Sequence, residues 1–334
     1  MISRTFLLKI LFNTFIGVIA VFVWLKFVNL SDIKTILVGV KPQYLILILF
    51  TIWLAISFRA FRLKFFLSPL HKIRLREILW LNGVSIMLNF LIPIRGGDIT
   101  RGIYLSRTYH IPVQRSLTWV FLDHFIDFLV LLLLTPPLLL LVPNNLGGNV
   151  GMIAIGISGV MLIVAYLMIF QASFAKILLE FATNFLIFDI FKKHFRKFYI
   201  HMLDSFMILK RSSHELIFLV FITIMAYLAD GLTLYFTFLS VGIHISYIES
   251  FLAQFLSALT YLVPAAPGYV GSAEASGLIV FSAVLGINQN LASAASLVFH
   301  GSLAIFAIVY GIFCLQALDL NPFVLLKRVS KEAD

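Results

Sequence analysis

The sequence is poor in anything that can be cross-linked, chelated or solvated. One cysteine, Cys314, in 334 residues excludes an internal disulfide and a cysteine-based metal site. It lies in an apolar run and reads as a packing residue. Only 12% of residues are charged, against about 25% in soluble domains. No glycine-rich phosphate loop carrying a lysine is present, so the chain does not itself use a nucleotide. Histidines and carboxylates do not recur at ligand spacing: Asp123, His124 and Asp127 have no second cluster to complete a site, and neither metal nor cofactor is expected. Acidic residues are the scarcer sign, 15 against 25 Lys and Arg, for a net charge of +10. Such an excess can mark a nucleic-acid binder. Here the basic residues fall between long apolar runs, so they read as membrane flanks, and nucleic acid is not an expected partner.

What is present is apolar. Hydrophobic residues make up 61% of the chain, with a mean hydropathy of +1.04. This is an all-α polytopic membrane protein, read as a single transmembrane domain over 1–334. Six runs approach the roughly 20 residues a spanning helix needs: 7–30, 43–63, 117–142, 150–172, 215–241 and 291–318. The first lacks a small-residue cleavage site and reads as a retained signal anchor. Segment 173–214 has apolar residues at helical spacing followed by a basic cluster. It reads as an interfacial amphipathic helix or a solvated basic loop. Trp80 and Trp119 read as interfacial anchors.

Two further elements, 78–110 and 249–287, carry a repeated break. Asn89-Phe90-Leu91-Ile92-Pro93 leads into Ile94-Arg95-Gly96-Gly97. Thr260-Tyr261-Leu262-Val263-Pro264 leads into Ala265-Ala266-Pro267-Gly268, with Gly271 beyond. Proline removes a backbone donor and glycine permits turns that other residues resist. A broken backbone survives inside a membrane only when buried in protein or lining a cavity. Paired interruptions at matching places in two halves point to a transporter's central site.

The basic residues orient the chain. With a cytoplasmic N-terminus, and with each broken element entering and leaving on one side, all Lys and Arg except Lys26, Lys34 and Lys41 face the cytoplasm. Reading 78–94 as an ordinary span would export the basic segment 176–211. For 249–287 a hairpin and two full spans both fit. The expected protein is N-in and C-in in the cytoplasmic (inner) membrane, with six spans and two re-entrant or broken elements. Its halves, about 1–145 and 146–325, form inverted repeats whose breaks approach the midplane from opposite faces.

Charges inside membrane elements are costly and point to function. Asp98 and Arg101 follow the first break three residues apart, so they share a helical face and can pair. Arg95 and Arg101 suit a lipid phosphate, onto which a guanidinium forks. Asp123 and Asp127 share a face that can receive Arg95, Arg101 or a cationic headgroup. Glu274 follows the second break at a helix start, where it either caps the helix or accepts a proton or headgroup. His300 in the last run and Asp230 in the fifth read equally as ligands or as core polar groups. Gly271-Ser272 with His300 lacks the rest of a hydrolase's constellation. The candidate substrate-binding residues are therefore Asn89, Arg95, Asp98, Arg101, Asp123, Asp127, Glu274 and His300. The structural breaks are Pro93, Gly97, Pro264, Pro267, Gly268 and Gly271.

Asn89 to Arg101, Asp123 to Asp127 and Pro264 to Glu274 together resemble the lysylphosphatidylglycerol synthase transmembrane-domain family, also described as flippase-like proteins. The similarity in element order covers nearly the whole chain. Two stretches are its specific parts, Pro-x-Arg-x-Gly-Asp-x-x-Arg and Pro-x-x-Pro-Gly-x-x-Gly-x-x-Glu. The resemblance implies a polytopic fold with re-entrant elements, and transfer of a lipid with a modified headgroup between leaflets. The family often has Glu-Arg where this chain has Asp123-His124, and an arginine near the place of His300. No attached synthetase domain is read here, so aminoacylation is not implied. The leading expectation is a flippase moving a phospholipid or polyprenyl-linked lipid. The alternatives are a membrane-embedded enzyme of lipid or glycolipid metabolism and a non-transporting subunit of an envelope-synthesis complex. Membrane lipids are the expected partner, with an envelope-lipid synthase as a second candidate.

Overall fold

The computed structural model describes residues 4–68, 72–92, 96–142, 147–171, 174, 177, 180, 213–260 and 266–321. Pro93, Arg95, Pro264 and nearly all of segment 173–214 lie outside the described residues. The described elements are helical: α1 (Arg4–Leu25), α2 (Leu30–Val38), α3 (Pro42–Leu67), α4 (Leu75–Leu91), α5 (Gly96–Thr108), α6 (Val113–Leu141), α7 (Gly147–Phe170), α8 (Ser213–Ser240), α9 (Tyr247–Thr260), α10 (Ser272–Gly277) and α11 (Gln289–Ala317). A 3₁₀ turn at Pro267–Tyr269 precedes α10, and a π-helical turn, Leu278–Val284, continues it.

Four of these helices, α3, α6, α8 and α11, are long and apolar enough to cross a membrane. The expected run 7–30 is not one straight span. It stops at Leu25 and turns by 91° into α2, whose start is fixed by the Asn29 side chain accepting from the Ser31 and Asp32 amides. Counting that bent pair as one span gives up to five among the described residues, against the six expected. The expected run 150–172 corresponds to α7, 24 residues long, of which Ile155–Leu167 forms a shorter apolar helix.

The centre is the antiparallel pair α3 and α8. Along α3 the facing residues step by four, four and three, as an inward helical stripe must: Thr51, Ala55, Arg59, Arg62. On α8, Thr233 meets Thr51, Asp230 meets Arg59 and Thr223 meets Arg62. Thr51 and Thr233 share a hydroxyl bond of 2.9 Å, and Ala55, Ala226 and Ala229 are buried. Small residues and interhelical hydroxyl bonds are what association needs where lipid is as apolar as leucine. The second seam joins α4 to α11. Cys314 is fully buried there against Gly83, in the packing role its sequence context indicates.

Each broken element folds back on itself. In the first, Glu77 on α4 accepts from Tyr104 and Tyr109 (2.8 and 2.7 Å). Next along the pair come Asn82 with Arg101, Ser85 with Asp98, and Asn89 with the Gly97 amide. The pairing runs antiparallel from base to tip, so 75–108 is a hairpin. In the second element, Leu252 and Leu285 pack at the base, beside Val142 at the end of α6. The Thr260 and Ser276 hydroxyls meet nearer the tip, at 2.8 Å. Its helical legs are 14 residues (α9) and 13 residues (α10 plus the π turn), too short to cross. The short described legs and the Thr260–Ser276 contact favour the hairpin over two full spans. The first hairpin's base adjoins the start of α6 and the second adjoins its end. At 1.5 Å per residue the 29 residues of α6 separate these ends by about 43 Å.

Trp119 is buried (1% exposed) within the core around Leu63 and Leu122, not at an interface as its sequence context suggests. Arg115 lies over its ring at 5.5 Å.

The first hairpin closes tightly enough that a Cβ at Gly97 would strike the Ser85 carbonyl, whereas one at Gly301 would meet nothing within 4 Å. Gly97→Ala is expected to destabilise by about 2 kcal/mol or more, and Gly301→Ala to be nearly neutral. Thermal unfolding of the two variants in the same detergent measures the difference.

Candidate functional site

A buried charge cluster sits where α3, α5, α6 and α8 meet. Arg62, fully buried, donates from Nε to Asp123 (2.9 Å) and from Nη1 to Asp127 and Thr223 (2.5 and 2.9 Å). Its Nη2 donates to the Asp123 carbonyl and to Asp127 (both 3.0 Å). A guanidinium has five N–H groups, and these bonds engage them all. Arg101 reaches the other Asp123 oxygen at 3.3 Å, Asn82 at 3.2 Å and Asp98 at 3.6 Å. His124 lies 3.1 Å from Asp98, and its 39% exposed ring forms the open edge of the cluster. Arg59 pairs bidentately with Asp230.

The structure thus brings Asp98, Arg101, Asp123 and Asp127 together, with Asp123 and Asp127 on one face of α6 as their spacing requires. Arg101 meets Asp123, one of the pairings expected. Asp127 is held by Arg62 instead. Arg59 and Arg62 escape a reading by hydropathy, which counts both as flanking charges. Both lie inside α3, which continues to Leu67, beyond the apolar run that ends at 63. The available signal is their three-residue spacing opposite an isolated in-span Asp230. Arg101, 5% exposed, is held by Asn82, Asp98 and Asp123, while its Nε has no hydrogen-bond partner.

The remaining candidates gather at the second break. Glu274 uses one carboxylate oxygen to cap its own helix, accepting from the Gly271 amide at 2.7 Å. The other lies 2.9 Å from His300 Nδ1, and His300 Nε2 lies 2.6 Å from the Gly268 carbonyl. The cap expected of Glu274 is formed, and its second oxygen contacts His300. Ser272 donates to the Tyr269 carbonyl. Both His300 nitrogens are engaged elsewhere, so no serine–histidine dyad forms.

The two breaks meet. Phe90, beside the first, lies 6.2 Å from Tyr269 and 5.9 Å from His300, ring centre to ring centre. Between them is a cavity of about 240 Å³ lined by Asn89, Phe90, Tyr269 and His300, with Ile86, Leu303 and Ala307 as its apolar wall. Asn89 links this cavity to the charge cluster: its side-chain oxygen accepts from the Gly97 and Asp98 amides, capping the helix that carries Asp98 and Arg101. On the other side of the second break, an apolar groove of about 490 Å³ runs between α1 and the π turn. Trp24, Phe27, Leu278 and Ile279 border it.

The model of the lysylphosphatidylglycerol synthase TM region matches residues 7–311. The chain belongs to that family. It is accordingly a multi-pass membrane protein of lipid metabolism or transport. No curated protein matches it.

Removing Arg62 leaves Asp123 with Arg101 alone and takes from Asp127 its guanidinium partner, and breaking a buried pair this way costs about 3–5 kcal/mol. Arg62→Ala is expected to lower the unfolding midpoint in detergent steeply. Arg62→Lys should restore only part of the loss, since an ammonium offers three donors and no fork. Equal stability of Arg62→Lys and wild type would show that charge alone, not the five-bond geometry, holds the cluster.

Proposed function

We propose that the protein is a lipid flippase, moving a phospholipid or polyprenyl-linked lipid with a phosphate or cationic headgroup between leaflets. The observation that carries this reading is that Phe90 beside the first break meets Tyr269 of the second and His300 of α11 around one partly open cavity. Unaided crossing would strand the headgroup in hydrocarbon, at a cost of at least about 3 kcal/mol per charge. In this reading the headgroup enters the cavity, where Asn89, Tyr269 and His300 supply the polar contacts, while an acyl or isoprenoid tail lies along the groove beside α1. The cluster of Asp98, Arg101, Asp123 and Asp127 sets the field behind the cavity, with His124 as its exposed edge.

The same reading takes the halves as inverted repeats. Element order supports it: α3, hairpin, α6 in the first half and α8, hairpin, α11 in the second. Packing supports it too. The centre is the like pair α3 and α8, and each hairpin's first leg packs on the last long helix of the other half, α4 on α11 and α9 on α6. Basic residues gather at the end that holds the first hairpin's base, and Lys26, Lys34 and Lys41 flank α2 and α3 at the other, which favours N-in and C-in.

Two experiments test this. In a Cys314→Ser background, an impermeant thiol reagent applied outside should label His244→Cys and not Arg107→Cys; both positions are exposed, and the reverse pattern overturns the orientation. In proteoliposomes, wild type should move fluorescent phosphatidylglycerol or a cationic aminoacyl analogue across the bilayer. Ala307→Phe, which fills the cavity wall, should slow this by about tenfold or more, equivalent to about 1.4 kcal/mol. Movement of none of these lipids by wild type, or undiminished movement by Ala307→Phe, overturns the flippase reading.

A further inference from the structure

Three groups meet at the second break, and their hydrogen-bond chemistry fixes how many protons they hold. The Gly268 carbonyl only accepts, so His300 Nε2 carries a hydrogen. On the other side of the ring, Nδ1 faces Glu274 Oε1 at 2.9 Å. A carboxylate oxygen and an unprotonated imidazole nitrogen both only accept. The contact therefore requires a proton between them, whether the pair is written as imidazolium and carboxylate or as imidazole and carboxylic acid. The second Glu274 oxygen is committed to the Gly271 amide.

These bonds tie the segment of the second break to α11, where the Ser296 hydroxyl also donates to the Ala273 carbonyl at 2.8 Å. Residues 266–271 form one short 3₁₀ turn, with Gly268 at φ +69° and Gly271 at φ +85°. His300 stands on α11, a 29-residue helix. It grips the segment at the Gly268 carbonyl and, through Glu274, at the Gly271 amide. The ring also lines the cavity between the breaks.

We propose that Glu274 and His300 form a proton-binding site whose single shared proton latches the second break against α11, and that loss of this proton opens the cavity. The shared proton leaves to water or to a headgroup oxygen in the cavity. What stays behind is a carboxylate and an imidazole protonated at Nε2. The lone pairs of Nδ1 and Oε1 then face each other at hydrogen-bond distance, and their repulsion drives the segment from α11. Low pH closes the latch and high pH releases it. Few other groups can titrate here. Tyr269 contributes a phenol to the cavity. α4 presents Asn89 and Phe90. α1 packs on Gly271 through Gly17 and Ala20. Glu274 is the sole carboxylate of α10 and the π turn, and on α11 the next titratable side chains, Tyr310 and Cys314, are more than two turns away. The coupling of this latch to lipid movement rests on the flippase reading; the latch itself does not.

The test uses the full chain in nanodiscs of phosphatidylcholine and phosphatidylglycerol. Nitroxides go on Leu91→Cys and Val270→Cys in a Cys314→Ser background; both sites are about half exposed and flank the two breaks. Pulsed EPR between about pH 5 and about pH 9 should show one transition from a short to a longer distance, as expected for a histidine-centred proton. H300Q and E274Q should each abolish the pH dependence, while Y269F retains it. A distance that does not change with pH, or a transition that survives in H300Q, overturns the latch. In proteoliposomes the rate of phosphatidylglycerol movement by wild type should rise with pH by up to about tenfold per unit, and should be flat in H300Q. A pH-dependent distance without lipid movement overturns the flippase reading and leaves the latch standing. Lipid movement at a pH-independent rate overturns the coupling of the latch to transport and leaves the flippase reading standing.

Discussion

Everything else in the fold is built around one buried guanidinium. Taking a charge out of water costs several kcal/mol, and its partners repay that only when geometry is good and every donor is used. Arg62 meets this condition, with five bonds to two aspartates, a threonine and a backbone carbonyl. Those acceptors come from α6 and α8, so α3, α6 and α8 are fixed relative to one another. Asp123 then extends the lattice, because the oxygen not taken by Arg62 binds Arg101 and ties the first hairpin to the same frame. A lysine at 62, with three donors on a flexible stem, could not satisfy this set of acceptors.

The two hairpins are consequently held in different ways. The first is laced from base to tip by polar pairs, Glu77 with two tyrosines, Asn82 with Arg101, Ser85 with Asp98, and Asn89 with two amides. The second has apolar packing at its base and one hydroxyl contact on the way up. Near its tip the Glu274–His300 contact and a bond from the Ser296 hydroxyl to the Ala273 carbonyl tie it to α11. Its outgoing leg also departs from α-helical bonding after Gly277, entering a π turn, a feature common at functional sites. Matching element order thus conceals a physical asymmetry, a rigid hairpin facing a lightly fastened one.

Much of this was legible in the sequence because it follows from local rules. Proline and glycine marked both breaks, charge asymmetry required the element at 78–110 to return to its own side, and the i, i+4 spacing of Asp123 and Asp127 put both on one face. The misses have specific causes. Hydropathy ended the second run at 63 because Arg59, Arg62 and Lys64 lower its mean, yet helical bonding continues to Leu67. A one-dimensional count does not reveal that Arg62 points inward to acceptors 61 and 65 positions away. The turn between α1 and α2 was signalled by Asn29, a strong N-cap two residues before a serine and three before Asp32, but it was absorbed into an apolar run. The second hairpin looked long enough to be two spans because residues between Thr260 and Ser272 counted as helix. Pro267, Gly268 and Gly271 take much of that stretch out of helical geometry.

That asymmetry bears on how a lipid would cross, on the proposed reading. Arg62 is too saturated to release a partner for each headgroup, since every vacated acceptor would be a charge left unpaired. Recognition then falls to groups with capacity left over, namely the aromatic and polar side chains around the cavity. The cavity, about 240 Å³, suits a headgroup and not its tails, which the separate apolar groove accommodates. Nor does the moving part need to be a whole half of the molecule. The lattice centred on Arg62 binds α3, α5, α6 and α8 into one body, so the softer coordinate is the second hairpin's tip against α11. A change of a few hydrogen bonds at Glu274 and His300 acts on that coordinate directly, and the rest of the bundle can stay still while it does.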